Sequence, residues 1–356
     1  MSSPNHSHSH LWPGVPLALA SALLFGASTP FAKLLVGAID PQMLASLMYL
    51  GAGGGLALVH LARAGFGIAA PEAPLRRGDL PWLGAVVVFG GMLGPLLLML
   101  GLARTSAASG SLLLNLEGLA TMGIAWVVFR ENVDRKLLLG AAAILAGALV
   151  LAWQGDGVRL DAGGLLIAAA CLAWGIDNNL TRKLSSADPV QIAMIKGLAA
   201  GAMNFALALA RHAGAPAPGL AGAATLIGFL GVGVSLVLFV LALRHLGSAR
   251  TGAYFSFAPF IGAVIALRVL HEPATMQLGL AAAFMAIGLW LHLAERHDHE
   301  HLHEAMAHEH AHVHDEHHQH THDGAWSESH SHWHSHAPMR HKHAHYPDLH
   351  HRHDHA

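Results

Sequence analysis

The chain of 356 residues has 53% hydrophobic and 12% charged residues, and its net charge is -2 with His neutral. An average soluble domain carries about 25% charged residues, so this composition argues against a soluble globular protein. The near-neutral charge gives no basic surface, and we expect no nucleic-acid partner. The single Cys171 excludes an internal disulfide and a Cys-based zinc cluster.

Ten apolar stretches follow one another, each about as long as the 20 residues that a helix needs to cross a bilayer. The connections are short, the longest running from Arg63 to Leu80. Small residues are frequent within the stretches and let helices approach closely in lipid. We therefore predict an all-α integral membrane protein of ten transmembrane helices. They cover residues 14–37, 42–63, 81–103, 107–129, 136–154, 163–184, 190–211, 220–244, 248–270 and 275–294.

The body is an internal duplication. Residues 25–41 resemble residues 174–189, and residues 101–131 resemble residues 242–272. Each copy holds five predicted spans, and because five is odd, the second copy must be inverted in the membrane. Inverted repeats are a recurrent architecture of secondary transporters, with the binding site at the repeat interface. The predicted organisation is an N-terminal segment (1–13), a first repeat (14–154), a linker (155–162), a second repeat (163–294) and a tail (295–356).

Lys and Arg are enriched in cytoplasmic loops, and this bias predicts the orientation. With the N-terminus inside, eleven fall in inside loops and five outside. We therefore predict a multi-pass protein of the plasma (inner) membrane with both termini in the cytoplasm. The inside residues are Arg63, Arg76, Arg77, Arg130, Arg135, Lys136, Arg182, Lys183, Arg244, Arg250 and Arg296, and the outside ones are Lys33, Arg104, Arg159, Arg211 and Arg268.

Several short motifs recur in the same order in both copies and carry a resemblance to a known family. They are Phe25-Gly26 and Trp174-Gly175, Asp40-Pro41 and Asp188-Pro189, the segment 103–108, the span-closing Glu131 and Glu272, and Pro259. Over roughly residues 14–294 the chain resembles EamA-type members of the drug/metabolite transporter superfamily. The resemblance implies ten helices, cytoplasmic ends and alternating access by two inverted halves. It implies no particular substrate, since that superfamily moves amino acids, nucleotides, sugars and amphipathic drugs.

Glu117 stands in the fourth predicted span, where the second copy has Ala258-Pro259 instead of Glu117-Gly118. A carboxylate at the bilayer centre costs roughly 2.5–3.5 kcal/mol and by default indicates function. We predict that Glu117 binds substrate or carries a coupling proton, with Asn115 as a further polar group of this span. The alternative is a structural hydrogen bond to a neighbouring helix.

The sixth span carries Asp177 and Asn178, and Lys196 lies a short way into the next span. Asp177 is a candidate cavity carboxylate, and the three residues are candidate substrate or proton sites. The alternative for Asp177 and Lys196 is a structural ion pair, because a buried pair can be purely structural.

Tyr254 and Ser256 are included only by analogy with the family's central cavity, since hydroxyls on apolar helices more often bond the preceding turn. Five His near span ends, His60, His212, His245, His271 and His292, are expected to be ordinary interfacial residues. Glu131 and Glu272 are expected to cap or pair locally. No catalytic Ser, His or Cys constellation is present, so we predict that the protein is not an enzyme.

The tail alternates His with Asp, Glu, Ser and Ala, and 23 of the 31 His lie between His297 and His355. This composition cannot bury an apolar core, so we predict a disordered tail. Imidazole suits zinc, copper and nickel, which favours metal binding over a solvating or pH-sensing tail. Residues 6–10 form a second, shorter motif in which His alternates with Ser. The predicted ligands are His308, His310, His312, His314, His317, His318, His320 and His322.

Two hypotheses follow. The first is a secondary transporter of small organic metabolites whose tail senses or buffers divalent metal. The alternative is a nickel, zinc or cobalt transporter, or a metal-binding membrane protein, that uses the tail. That alternative needs three or more ligands converging in the spans, and the spans offer oxygen ligands but no His pair. We expect no required cofactor, with zinc or nickel as an optional ligand of the tail. The sequence leaves the oligomeric state open, with a homodimer as one option.

Overall fold

The computed structural model describes residues 13–66, 75, 77–129, 135–153, 161–181, 184, 188–293, 297–303, 306–312, 330–336 and 339–345. Over these residues it has thirteen α-helices and four β-strands. The helices of the first repeat are α1 (Gly14–Leu35), α2 (Pro41–Gly65), α3 (Leu80–Val86), α4 (Gly94–Leu102), α5 (Ala107–Leu113), α6 (Leu116–Phe129) and α7 (Arg135–Leu151). Those of the second are α8 (Ala162–Thr181), α9 (Pro189–Ala210), α10 (Pro218–Gly228), α11 (Ser235–Phe255), α12 (Ala258–Val269) and α13 (Met276–Leu293).

Six helical stretches among the described residues are long and apolar enough to cross a bilayer. They are Gly14–Leu35, Pro41–Gly65, Arg77–Leu102, Ala107–Val128, Val190–Ala210 and Pro218–Ala242. The other four predicted spans also contain helices, but α7, α12 and α13 are shorter and α8 has polar residues near its end. The helical body is therefore confirmed, and the number of ten spans stays a prediction.

The Asp-Pro pair begins the second helix of each repeat for a local reason. The Asp40 carboxylate accepts hydrogen bonds from the backbone N–H groups of Gln42 (2.9 Å) and Met43 (3.2 Å). Asp188 accepts one from Val190 (2.8 Å). Each Asp thus satisfies N–H groups that a helix leaves unpaired at its start, and the following Pro supplies the helical φ without needing an N–H partner.

The third span of each repeat contains a π-helical turn. The two turns are Val87–Leu93, between α3 and α4, and Phe229–Val234, between α10 and α11. π-Helical turns are rare and occur frequently at functional sites. Their matching positions in the two copies show that the irregularity belongs to the repeat unit.

Two predicted boundaries differ in the structure. The helix predicted over 107–129 is interrupted by a turn at Leu114–Asn115. The matching stretch of the second copy is interrupted by a turn at Ser256–Phe257. Glu117 therefore lies in the first turn of α6 rather than inside one continuous helix. Conversely, the connection predicted at 245–247 is helical within α11. That stretch contains Gly247 but no Pro, and a single Gly costs a helix only about 1 kcal/mol.

The two repeats pack by exchanging equivalent contacts. The first helix of one repeat, α1, packs against α11 and α12 of the other, and α8 packs in turn against α4 and α6. Helices α2 and α9 also meet across the repeats, where a Cβ atom on Gly197 would lie only 2.7 Å from the Cα atom of Gly53. Glycine at this crossing lets the two backbones touch.

Both repeats hold the turn between α4 and α5. The Lys33 ammonium, at the end of α1, donates to the carbonyl oxygens of Leu102 and Thr105. The Glu272 carboxylate accepts from the backbone N–H groups of Ala107 (2.7 Å) and Ala108 (2.8 Å). Glu272 thus caps a helix of the other repeat, whereas the sequence predicts a local cap or pair. Glu131 lies outside the described residues.

Four segments of the tail form strands. Strand β1 (His297–His303) pairs antiparallel with β4 (Met339–His345), and β2 (Met306–His312) pairs with β3 (His330–His336). This differs from the predicted disorder over these segments. The alternation of His with other residues has the period of two that a strand requires, so the same pattern is compatible with pairing.

Candidate functional site

The carboxylate of Glu117 meets the second repeat through Asn178. The Asn178 side-chain amide on α8 donates to Glu117 Oε1 (3.0 Å) and to Thr121 Oγ1 (3.1 Å), one turn further along α6. The Thr121 hydroxyl in turn donates to the Glu117 carbonyl oxygen (2.9 Å). Because Asn178 is exposed and Glu117 half-buried, this contact borders open space. Within the described residues the Glu117 carboxylate has no ion-pair partner.

Asp177, the residue before Asn178, is oriented differently. Its side chain is 6% exposed and forms an ion pair with Lys196 on α9. The Thr181 hydroxyl donates to the other carboxylate oxygen (3.4 Å). The ion pair that the sequence left as an alternative is therefore present, and the two carboxylates have different surroundings: Asp177 has a cation, whereas Glu117 has an amide.

The π-helical turn of the first repeat fits around Asp177. Gly90 lies against its carboxyl group so closely that a Cβ atom there would overlap it. The Gly90 carbonyl oxygen accepts hydrogen bonds from the Tyr49 hydroxyl (2.9 Å) and the Trp174 indole N–H (3.1 Å). A π-helical turn leaves carbonyl groups without their usual helical partners, and here side chains from α2 and α8 satisfy one of them.

A cleft opens beside Lys196, between α2, α9 and the second π-helical turn. Its cavity volume is about 60 Å³, and it is open at its mouth. Its lining combines apolar and small residues with the Tyr49 ring and the Lys196 side chain. Among the described lining residues Lys196 is the one charged side chain. The lining residues are Tyr49, Ala52, Leu56, Ala193, Lys196, Gly197, Val232, Gly233 and Leu236.

A model of the EamA-like transporter family matches the chain twice, over residues 12–153 and 161–294, which are the two repeats. The chain belongs to the EamA-like transporter family. It is thus a multi-pass membrane transporter of the drug/metabolite transporter superfamily, a family of transporters and not of enzymes. The predicted family is therefore confirmed.

Curated relatives of this EamA-like transporter carry names that state no substrate. An uncharacterized transporter of Methanothermobacter thermautotrophicus is 26% identical over 295 residues, covering 79% of this chain and 86% of the relative. The uncharacterized transporter YyaM of Bacillus subtilis is 22% identical, over 71% of this chain and 85% of the relative. An uncharacterized protein of Pseudomonas aeruginosa, PA1977, is 28% identical, over 67% and 79% respectively.

A solved crystal structure shares the fold. It aligns with a TM-score of 0.58 and 19% sequence identity, covering 78% of this chain and 95% of the other. At this identity the likeness concerns the arrangement of helices alone.

The structure brings together four of the predicted site residues: Glu117, Asp177, Asn178 and Lys196. It places the other three elsewhere. Asn115 is in the turn between α5 and α6, where its amide donates to the Leu112 carbonyl (2.8 Å). Tyr254 packs with the start of α1, and Ser256 lies in the turn before α12.

Of the predicted metal ligands, His308, His310 and His312 lie in β2, at positions opposite His334, His332 and His330 of β3. The remaining five, His314, His317, His318, His320 and His322, lie outside the described residues. Among the side chains that the structure describes, no group of three or more His, Cys, Asp or Glu is placed to hold a metal ion.

Sequence reasoning missed Tyr49, Gly90 and Trp174. Trp174 was noted as a repeat marker, but nothing in its spacing points to a carbonyl on another helix. The available signal for the π-helical turns is a set of glycines at matching places in the two copies. They are Gly90 and Gly91 in the third span, and Gly231 and Gly233 in the eighth.

Proposed function

We propose that this protein is a secondary transporter of small organic metabolites that works by alternating access between two inverted repeats. The observation that supports it most is the contact of Glu117 with Asn178, which joins the first repeat to the second at a polar group bordering open space. A substrate site at the repeat interface is the common arrangement of such transporters. We propose the plasma (inner) membrane as its location, with both termini in the cytoplasm.

In this proposal Glu117 is the coupling group. A carboxylate held by an amide can exchange its charge for a proton without leaving a buried cation unpaired, whereas Asp177 cannot because it faces Lys196. When the repeats move relative to each other, the Glu117–Asn178 hydrogen bond is a contact that has to break. Protonation of Glu117 or arrival of substrate weakens this contact and favours the movement.

The tail adds a second, separate component to the proposal. His residues lie opposite His residues in both strand pairs, for example His299 opposite His343 and His310 opposite His332. The density of His in the tail supports reversible binding of zinc or nickel there as regulator or buffer, with the organic solute as cargo.

Transport by the full-length chain in proteoliposomes tests the proposal. A pH gradient is imposed, and an internal pH dye reports proton movement on addition of organic acids, amino acids, sugars, nucleosides or amphipathic amines. We expect at least one solute to move protons through the wild-type protein, and Glu117→Gln to abolish this movement while the protein remains inserted.

The matched control is Asp161→Asn, which removes an exposed carboxylate outside the site. It should transport like the wild type. If no solute of the panel moves protons or exchanges across the membrane, the proposed function is wrong. If Glu117→Gln transports normally, Glu117 is not the coupling group and its hydrogen bond to Asn178 is structural.

A further inference from the structure

Of the Asp177–Lys196 pair, Lys196 lines the cleft and Asp177 does not. Asp177 is 6% exposed, with one carboxylate oxygen paired to Lys196 and the other accepting from Thr181. The backbone of Gly90 covers the carboxyl group. The Lys196 side chain is 19% exposed and lines the cleft. A ligand in the cleft therefore lies against Lys196 and not against Asp177.

The ammonium keeps donor capacity for a ligand. An ammonium group has three N–H donors, and in the structure Lys196 donates to Asp177. The Tyr49 hydroxyl at the same wall is already donating to Gly90. The remaining ammonium donors suit an anionic acceptor such as a carboxylate, because charge-assisted hydrogen bonds are roughly twice as strong as neutral ones.

The remainder of the cleft suits an apolar group. Ala52, Leu56 and Ala193 line two sides, and Val232 and Leu236 line the third. Ligand pockets are commonly lined by hydrophobic side chains with a few polar groups that fix orientation. The cleft itself has a volume of about 60 Å³ and is open at its mouth, so it holds part of a ligand rather than enclosing all of it.

From this geometry we infer that the substrate is a small amphipathic carboxylate, whose carboxyl group binds Lys196 and whose apolar part lies between α2, α9 and the second π-helical turn. The inference rests on the proposed transport function and names its substrate class. Asp177 holds Lys196 in position until the ligand carboxylate shares the ammonium. Lys196 thereby selects against amines, which carry the same charge.

Calorimetry on the full-length protein in nanodiscs tests this with three probes of one shape: 3-phenylpropanoate, 3-phenylpropanamide and 3-phenylpropylamine. We expect the carboxylate to bind about 10- to 100-fold more tightly than the amide or the amine, the range for hydrogen bonds to a charged group. Equal binding of all three, preference for the amine, or no carboxylate binding at millimolar concentration would overturn the inference.

Variants separate the roles of the two charges. Asp177→Asn alone should bind the carboxylate at least as tightly as wild type, because the ligand no longer competes for Lys196. Combining Asp177→Asn with Lys196→Met removes both charges, leaves no buried unpaired ion, and should abolish carboxylate preference. Loss of binding in Asp177→Asn, or unchanged preference in the double variant, contradicts the assignment.

Two substitutions by Phe test where the apolar part of the ligand binds. Ala193→Phe fills the cleft one turn from Lys196 and should abolish binding, whereas Leu209→Phe, on the exposed face of the same helix, should not. Unchanged binding in Ala193→Phe overturns the assigned cleft. If 3-phenylpropanoate does not bind but other solutes are transported, the substrate class is wrong while the transport function stands.

Discussion

Gly90 and Asp177 show why small residues matter beside a charged group in an apolar body. An ionised side chain in this setting is tolerated when its charge is paired and its oxygens are hydrogen-bonded. Asp177 meets both conditions only because Gly90 leaves room for the carboxyl group next to the π-helical turn. The same carbonyl that Gly90 presents to Tyr49 and Trp174 keeps this turn in place.

Gly90→Ala should therefore displace Asp177 and destabilise the protein by about 1–3 kcal/mol, the usual cost of overpacking. Gly84→Ala on the same span is the matched control. The structure has open space at Gly84, and replacing a helical Gly with Ala stabilises by about 0.5–1 kcal/mol. Thermal unfolding of the purified variants in detergent measures both. A Gly90→Ala protein as stable as Gly84→Ala contradicts the packing argument.

At the scale of elements, the turn between α4 and α5 depends on both repeats. Lys33 satisfies carbonyl groups around the end of α4, and Glu272 satisfies N–H groups at the start of α5. Lys33 places a positive charge at the end of α4, and Glu272 places a negative charge at the start of α5. Both charges interact favourably with the helix dipole. A movement of one repeat against the other must change the Glu272 contact, so this turn is a place where such a movement can be observed.

Glu272→Ala should cost about 0.5–2 kcal/mol, as loss of a helix N-cap does, and should loosen the turn. The reporter is a cysteine at Ala103, which is exposed in this turn. The native Cys171 is 1% exposed and should react slowly with maleimide. We expect faster maleimide labelling of Ala103→Cys in the Glu272→Ala background than in the otherwise native one. Equal labelling rates would show that Glu272 does not hold the turn.

At the scale of the whole molecule, the central prediction is inversion of the second repeat. Ala64 near the end of α2 and Ala210 at the end of α9 are exposed residues at matching places in the two copies. Inversion puts them on opposite sides of the membrane, with Ala64 in the cytoplasm. An impermeant maleimide added to intact cells should label Ala210→Cys and not Ala64→Cys. Labelling of both or of neither from outside refutes the topology.

The His-rich tail should bind several zinc or nickel ions with a defined pH dependence. Neutral imidazole is the ligand, and its ordinary pKa is about 6.5. Protons compete as the pH falls, so binding should weaken between about pH 7.5 and 5.5. Zinc titration of the full-length protein and of a chain ending at residue 296 measures the difference. Equal zinc binding by the two proteins at neutral pH excludes a metal-binding tail. In a separate measurement of metal transport, reduced flux without the tail would instead favour metal as cargo.

The sequence by itself determined the apolar helical body, the duplication and the family. These follow from runs of apolar residues, from repeated short motifs such as Asp-Pro, and from local capping chemistry that acts within a few residues of the chain. It also singled out Glu117, Asp177, Asn178 and Lys196, because a polar group in an apolar span is visible without a structure.

Only the tertiary structure decided which of these residues meet. Asn178 and Asp177 are neighbours in sequence, yet one contacts Glu117 on α6 and the other Lys196 on α9, because successive residues on a helix point about 100° apart. The π-helical turns, the break before Glu117 and the position of Gly90 against Asp177 depend on contacts between distant helices. Such contacts leave no periodic signal in the sequence, since each is made by single residues at unrelated spacings.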